Sequence, residues 1–156
     1  MSQLSHLSPD GRPRMVDVSQ KPPTVRRARA EGMVKMTAST RQLALSGGGK
    51  KGEVARIAEI AGIIAAKKTS ELIPLCHPLP LSSVTVEVSE AEGGIRVEAG
   101  AATTGPTGVE MEALTAVTIA CLTIYDMLKS AERGMVIEGV RLLSKEGGSS
   151  GDWRAG

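Results

Sequence analysis

Phenylalanine is absent from this chain, and Tyr125 and Trp153 are its only aromatic residues of the Phe, Tyr and Trp set. The core must therefore be assembled from Val, Ile, Leu, Ala and Met. Cysteine is also scarce: Cys76 and Cys121 lie far apart and in no CxxC pattern. That excludes a disulfide scaffold, and a cytosolic protein with two buried or half-buried thiols is the simplest reading. No uncharged apolar run reaches the roughly 20 residues needed to span a bilayer. The start, Met1-Ser2-Gln3-Leu4-Ser5-His6, has no basic stretch leading into an apolar one, so no secretory leader is expected. A net charge of +2 is too small to mark a nucleic-acid binder by itself. What is present is ordinary for a globular protein: 156 residues, 41% apolar and 23% charged, enough for one domain with a real core.

Residues 1–23 hold Pro9, Gly11, Pro13, Pro22 and Pro23 and read as an N-terminal arm, with one strand-like run at Met15–Val18. Residues 24–146 read as a single α+β domain, and 147–156 as a flexible Gly/Ser-rich tail. From Val25 to Met36 small or apolar residues alternate with charged ones, the period of a strand. Arg26 is the exception on the apolar face. A short helix over Ser39–Leu45 is expected next. Val54, Ile57, Ala58, Ala61, Ile64 and Ala65 then repeat at helical spacing. Val84, Val86 and Val88, then Ile95, Val97 and Ala99, alternate about Glu92-Gly93-Gly94 and predict a hairpin. A long helix is predicted from about Val109 to Glu132, and a last strand from Met135 to Lys145 with a bulge at Gly139. The order β-α-β-β-α-β predicts a ferredoxin-like fold, an antiparallel sheet with two main helices packed on one face.

Several groups carry chemistry. Lys50-Lys51-Gly52 stand before the second helix, where the helix dipole attracts anions, and Gly47-Gly48-Gly49 precede them. They form either a phosphate cradle or a solvated loop, and they do not match a Walker motif. Cys76-His77-Pro78 is held between prolines, and Pro78 keeps His77 out of helical conformation. It offers a positioned imidazole or a surface histidine; no other His or Cys stands at metal-ligand spacing. Cys76 reads as a packing residue. Thr107 to Glu110 fits a capping box, which leaves Glu112 in the first turn unexplained. Residues Ala113 to Tyr125 carry no charge, and then Asp126 and Lys129 arrive at i and i+3, on one helix face. They are a structural clamp or a proton-handling pair. Partial desolvation would push Lys129 down towards neutral pH, and Asp126 would push it back up. Arg26, if buried, needs a carboxylate or phosphate.

Several blocks of wording are more specific. They are Met15–Val18, Ala61–Thr69, Leu72–Leu79, Thr107–Ala116, Leu122–Lys129 and Val140–Leu143. In this order they resemble the cyclic pyranopterin monophosphate synthase family of molybdenum-cofactor biosynthesis, from about Leu4 to Trp153. The resemblance implies a ferredoxin-like fold, and a homohexamer, a trimer of dimers, with active sites at subunit contacts. It implies a cytoplasmic lyase whose substrate is 3′,8-cyclo-7,8-dihydroguanosine 5′-triphosphate, supplied by a radical SAM GTP cyclase. Catalytic positions matched are Asp126, Lys129, Lys51 and His77. Substrate-binding positions matched are Leu75, Cys76, His77, Met111, Glu112 and Arg26. No metal is implied, and Mg2+ enters only as a companion of the triphosphate. Family members often carry Lys where this chain has Ser149; Lys145 is the nearest replacement.

Two other functions fit the same element order. An RNA-recognition module stacks bases on sheet aromatics, and neither Tyr125 nor Trp153 falls on a predicted strand. A non-catalytic nucleotide-binding regulatory domain would need the cations and no acid–base pair.

Overall fold

The computed structural model describes residues 4–46 and 53–156. Strand β1 (Thr24–Lys35) is followed by α1 (Ala38–Leu45), α2 (Val54–Lys67) and the short α3 (Thr69–Leu72). Strands β2 (Leu81–Ala91) and β3 (Gly94–Gly105) form the hairpin, and α4 (Glu110–Leu128), β4 (Val136–Glu146) and β5 (Trp153–Arg154) complete the chain. The sheet order is β2-β3-β1-β4-β5, antiparallel throughout. Strands β1 to β4 with α2 and α4 are the expected ferredoxin-like arrangement.

The alternation in β1 decides which face is buried. Arg26, Ala28, Ala30, Gly32 and Val34 point under the helices, and Ile95, Val97, Ala99, Ala101 and Thr103 of β3 lie beside them. On the open face, Arg96 bridges Glu31 and Glu98 at 2.8 and 2.9 Å, Arg29 reaches Glu98 at 2.6 Å, and Arg141 reaches Glu31 at 2.7 Å. Cross-strand charges of opposite sign stabilise neighbouring strands.

With no large aromatic to fill space, the helices come close. Ala58, Gly62, Ala65 and Ala66 of α2 are buried, as are Ala113, Ala116 and Ala120 of α4. A Cβ on Gly62 would sit 2.9 Å from the Ala116 carbonyl oxygen. Helix α4 has the length and apolarity of a membrane-spanning helix, yet its buried residues, from Ala113 to Leu128, form part of the domain core.

Several sequence expectations change. Met15–Val18 is not a strand; this part of the arm has no regular secondary structure. The long helix starts at Glu110 and ends at Leu128, not Glu132, and Val109, which precedes it, makes no side-chain cap. Thr107 is therefore too early to cap it. Arg26 donates to the Gly105 and Pro106 carbonyls at 3.0 and 3.3 Å, and the chain enters the helix only after this anchored segment. The bulge falls where expected: Glu31 pairs with Arg141 and Met33 with Glu138, so Gly139 and Val140 face the single residue Gly32. Gly139 takes φ +62, a region open to glycine.

Part of the expected tail belongs to the sheet. Trp153 and Arg154 pair with Lys145 and Ser144, and the Ala155 N–H donates to the Leu143 carbonyl at 2.8 Å. Trp153 thus lies on a strand after all; a two-residue strand is too short to leave a period. The intervening turn crosses Arg26 so closely that a Cβ on Gly148 would lie 2.2 Å from the guanidinium Nη1.

Candidate active site

A cavity of about 630 Å³ opens between the N-terminal arm, the Pro-rich segment before β2 and the first turn of α4. Its inner wall is Ile73, Pro74, Leu75, Cys76, His77 and Leu79, with Met111 and Glu110 from the helix start. Pro74 and Leu75 form a turn closed by the Cys76 N–H, which donates to the Ile73 carbonyl at 3.1 Å, and Pro78 keeps His77 out of helical conformation beyond it. Thr103 also fixes its exit: the hydroxyl donates to the Pro80 carbonyl at 2.6 Å. Mostly apolar walls with few polar groups suit a flat heterocycle.

His77 is half-buried, and its Nε2 meets the Val16 carbonyl at 2.5 Å. A carbonyl can only accept, so Nε2 carries the hydrogen and Nδ1 is the ring's remaining polar atom. The thiol of Cys76 is pushed up, first by burial and then by the nearby Glu112 and Glu110 carboxylates. A thiol kept protonated is a poor nucleophile, and Cys76 lines the cavity wall. Cys121, in the core, is pushed up by burial to about 12.

Glu112 is 3% exposed, just inside the start of α4. Burial raises its carboxyl to about 7. Its Oε1 has no hydrogen-bond partner among the described residues. A buried oxygen without a donor costs stability and is tolerated mainly where function needs it.

Asp126 and Lys129 stand at the other end of α4. Fifteen residues separate Met111 from Asp126, roughly 22 Å along a helix. The pair is real, with Lys129 Nζ 2.7 Å from Asp126 Oδ1, but the side chains are 58% and 70% exposed. The partial desolvation anticipated for Lys129 is not found. The hydrogen bond from Lys129 to Asp126 and the carboxylate's charge raise its pKa, and desolvation opposes them weakly. At neutral pH Lys129 is an acid, not a base.

Arg26 is on the buried face, as strand period requires, and 7% exposed. Its partners are the two carbonyls and not a carboxylate. It shapes the loop before α4 and does not line the cavity. Lys145 donates to Ser150 at 2.8 Å in the tail turn. Lys51, with Lys50 and Gly47–Gly49, lies outside the described residues.

The structure therefore brings together Leu75, Cys76, His77 and Met111, places Glu112 just behind them, and leaves Asp126 and Lys129 far off. Sequence reasoning missed the cavity's outer wall: Ser5, His6, Val16, Val18 and Lys21 of the arm. One signal was available, since His6 and His77 are the chain's only histidines and both line this cavity. No cluster of three or more His, Cys, Asp or Glu able to hold a metal occurs among the described residues.

Comparison with known proteins gives these segments their family. The profile of the MoaC family matches residues 15–148. The cyclic pyranopterin monophosphate synthase of Cereibacter sphaeroides (strain KD131 / KCTC 12085) is 56% identical over 157 aligned positions, covering 99% of each chain. Proteins of that name from Methylobacterium nodulans and Methylobacterium sp. (strain 4-46) are 57% identical, covering 99% of this chain and 98% of theirs. The chain belongs to the MoaC family.

Proposed function

We propose that this chain converts 3′,8-cyclo-7,8-dihydroguanosine 5′-triphosphate to cyclic pyranopterin monophosphate and pyrophosphate, a lyase reaction early in molybdenum-cofactor biosynthesis. The observation that carries the reading is full-length identity of 56–57% to synthases of that name. The cavity supports it, because its inner wall comes from two of the segments that resemble the family.

The guanine imidazole ring opens, the pyranopterin ring closes, an internal hydroxyl attacks the α-phosphorus, and pyrophosphate leaves. Leu75, Cys76 and Met111 pack the ring system. Glu112, near 7, can give or take a proton beside it. Lys51 and Lys129 exchange protons during ring opening and closure. Lys129, held charged by Asp126, starts as a donor. His77 and Arg26 serve the phosphates; Arg26 would need to exchange a carbonyl for an anion, or act through the loop it anchors.

One protomer does not bring His77 and Asp126 to one place. A site at a contact between two copies would, and this fits the proposed hexamer. Ile57, Ile60 and Ile64 form an exposed apolar stripe along α2, and such a stripe suits burial against a second copy. The upstream radical SAM GTP cyclase and a cytoplasmic location are proposed on the family resemblance alone.

The test is a turnover assay on the cyclised guanosine triphosphate, reading pterin fluorescence and pyrophosphate together. Wild type should yield both products; Lys51→Ala and Asp126→Asn should yield neither. Intact substrate with folded, oligomeric wild type would favour a nucleotide-binding regulatory domain, with Asp126–Lys129 as a helix clamp.

A further inference from the structure

We propose that Glu132 is a positioning residue: it completes the N-terminal cap of α1 from the connection after α4, and so holds in place the helix end that carries Asp126 and Lys129. The inference rests on the synthase reading, in which that pair handles protons, and deepens it.

Asp126 and Lys129 stand where α4 runs out. The helix ends at Leu128, and the connection from Lys129 to Met135 leads to β4. Helix ends fray unless something ties them. Some of the ties are local: the Ala131 and Glu132 N–H groups donate to the Leu128 carbonyl at 2.9 and 3.1 Å. The Tyr125 hydroxyl adds another, donating to the Arg133 carbonyl at 2.8 Å. All of these stay within α4 and its own connection. The Glu132 side chain reaches out of it. Its Oε1 accepts from the Thr37 N–H and from the Thr37 hydroxyl, each at 3.0 Å, across 95 positions of the chain.

Thr37 is the N-cap of α1. In a capping box the residue three places further on, Glu or Gln, accepts from the N-cap N–H. Here that place holds Thr40, and the first turn of α1 contains no acid. Glu132 supplies both the acceptor and the negative charge that a helix N-terminus favours. Hydrogen bonding, first from the Thr37 N–H, holds its carboxyl below the usual carboxylate range, so it is ionised at neutral pH. A glutamate at position 40 would cap α1 equally well. Only an acid beyond Leu128 also fixes the turn in which Lys129 sits. Lys129 needs that restraint, because its side chain is 58% exposed and its ion pair is to Asp126 of its own helix. A proton donor displaced by about 1 Å can lose on the order of 100-fold in rate.

The experiment compares Glu132→Ala and Glu132→Gln with wild type in the intact oligomer, its size checked by light scattering. KM and kcat are measured on the cyclised guanosine triphosphate. Amide hydrogen exchange at Ala131 and at position 132 reads the turn independently of activity. Glu132→Ala is expected to speed that exchange and to lower kcat by roughly 10- to 100-fold, with KM within about threefold. Glu132→Gln keeps an oxygen that can accept from both Thr37 donors, and should recover most of kcat and the slow exchange. If Glu132→Ala does not assemble, Tyr125→Phe takes its place: it loses only the bond to Arg133 and should lower kcat with KM held. Normal kcat in the variant tested overturns the proposal and leaves the synthase reading standing. A kcat lost in both Glu132 variants, although exchange is slow again in Glu132→Gln, overturns it too and makes Glu132 a charge that acts directly. If wild type never consumes substrate, the synthase reading falls; exchange unchanged in Glu132→Ala then overturns the tie as well, and faster exchange upholds it.

Discussion

Burial holds the Glu112 carboxyl at about 7, against 4.5 for the same group in an unfolded chain. The folded protein therefore keeps this proton to higher pH than the unfolded chain does. Well below pH 4.5 the two states are protonated alike and ionisation of Glu112 adds no penalty. Between 4.5 and 7 the unfolded state gains by ionising while the folded state cannot, so stability falls as pH rises. Above 7 the loss is complete, about 3 kcal/mol for a shift of this size. Glu112→Gln is expected to match wild type near pH 3.5 and to exceed it by roughly 3 kcal/mol at pH 8, measured by urea denaturation at each pH. Turnover should be lost in the same variant. Equal stabilities at pH 8 would mean that the carboxyl finds a donor.

Among the elements, the α2–α4 contact is the least forgiving. Gly62→Ala would place a methyl 2.9 Å from the Ala116 carbonyl oxygen and 3.0 Å from a Val86 methyl. Helix and strand cannot both yield, and a loss of about 1–3 kcal/mol is expected from overpacking, read from the urea midpoint with an unchanged slope. Alanine normally favours helix over glycine by about 1 kcal/mol, so a gain in stability would show that the helices slide apart freely. At this scale much was legible in sequence. Alternation exposed the face of β1 and singled out Arg26 as its misfit, and Gly139 marked the bulge. What failed was local wording without a period. Met15–Val18 looks like a strand but pairs with no strand among the described residues. Thr107–Glu110 spells a capping box, yet the helix starts at Glu110 with no side-chain cap, after a loop whose Gly105 and Pro106 carbonyls accept from Arg26, some eighty residues upstream. The outer wall of the cavity was invisible for the same reason: the contact of Val16 with His77 spans 61 positions, and no local pattern encodes it.

For the molecule as a whole, the distance between the ends of α4 makes a testable demand. If His77 and Asp126 serve one active site from different copies, two dead variants can repair each other. His77→Ala and Asp126→Asn are each expected to be inactive. Co-expressed, so that mixed oligomers form, they should regain a readily measured part of wild-type turnover, because some interfaces then carry both intact residues. Activity that stays at background in a proven mixed oligomer would place both residues in one protomer. Light scattering on wild type at micromolar concentration should show an assembly; a monomer would remove the basis for a shared site.

The single tryptophan has a practical consequence. Trp153 sits on the two-residue strand that closes the tail against Lys145, just beyond the glycine turn that covers Arg26. With no other indole in the chain, fluorescence excited at the red edge of indole absorption, where Tyr125 does not absorb, is in effect a local gauge of whether that last strand is seated. Excited in that way, the protein reports on one square of its surface, and a change on adding substrate would time the motion of the chain end against the appearance of product.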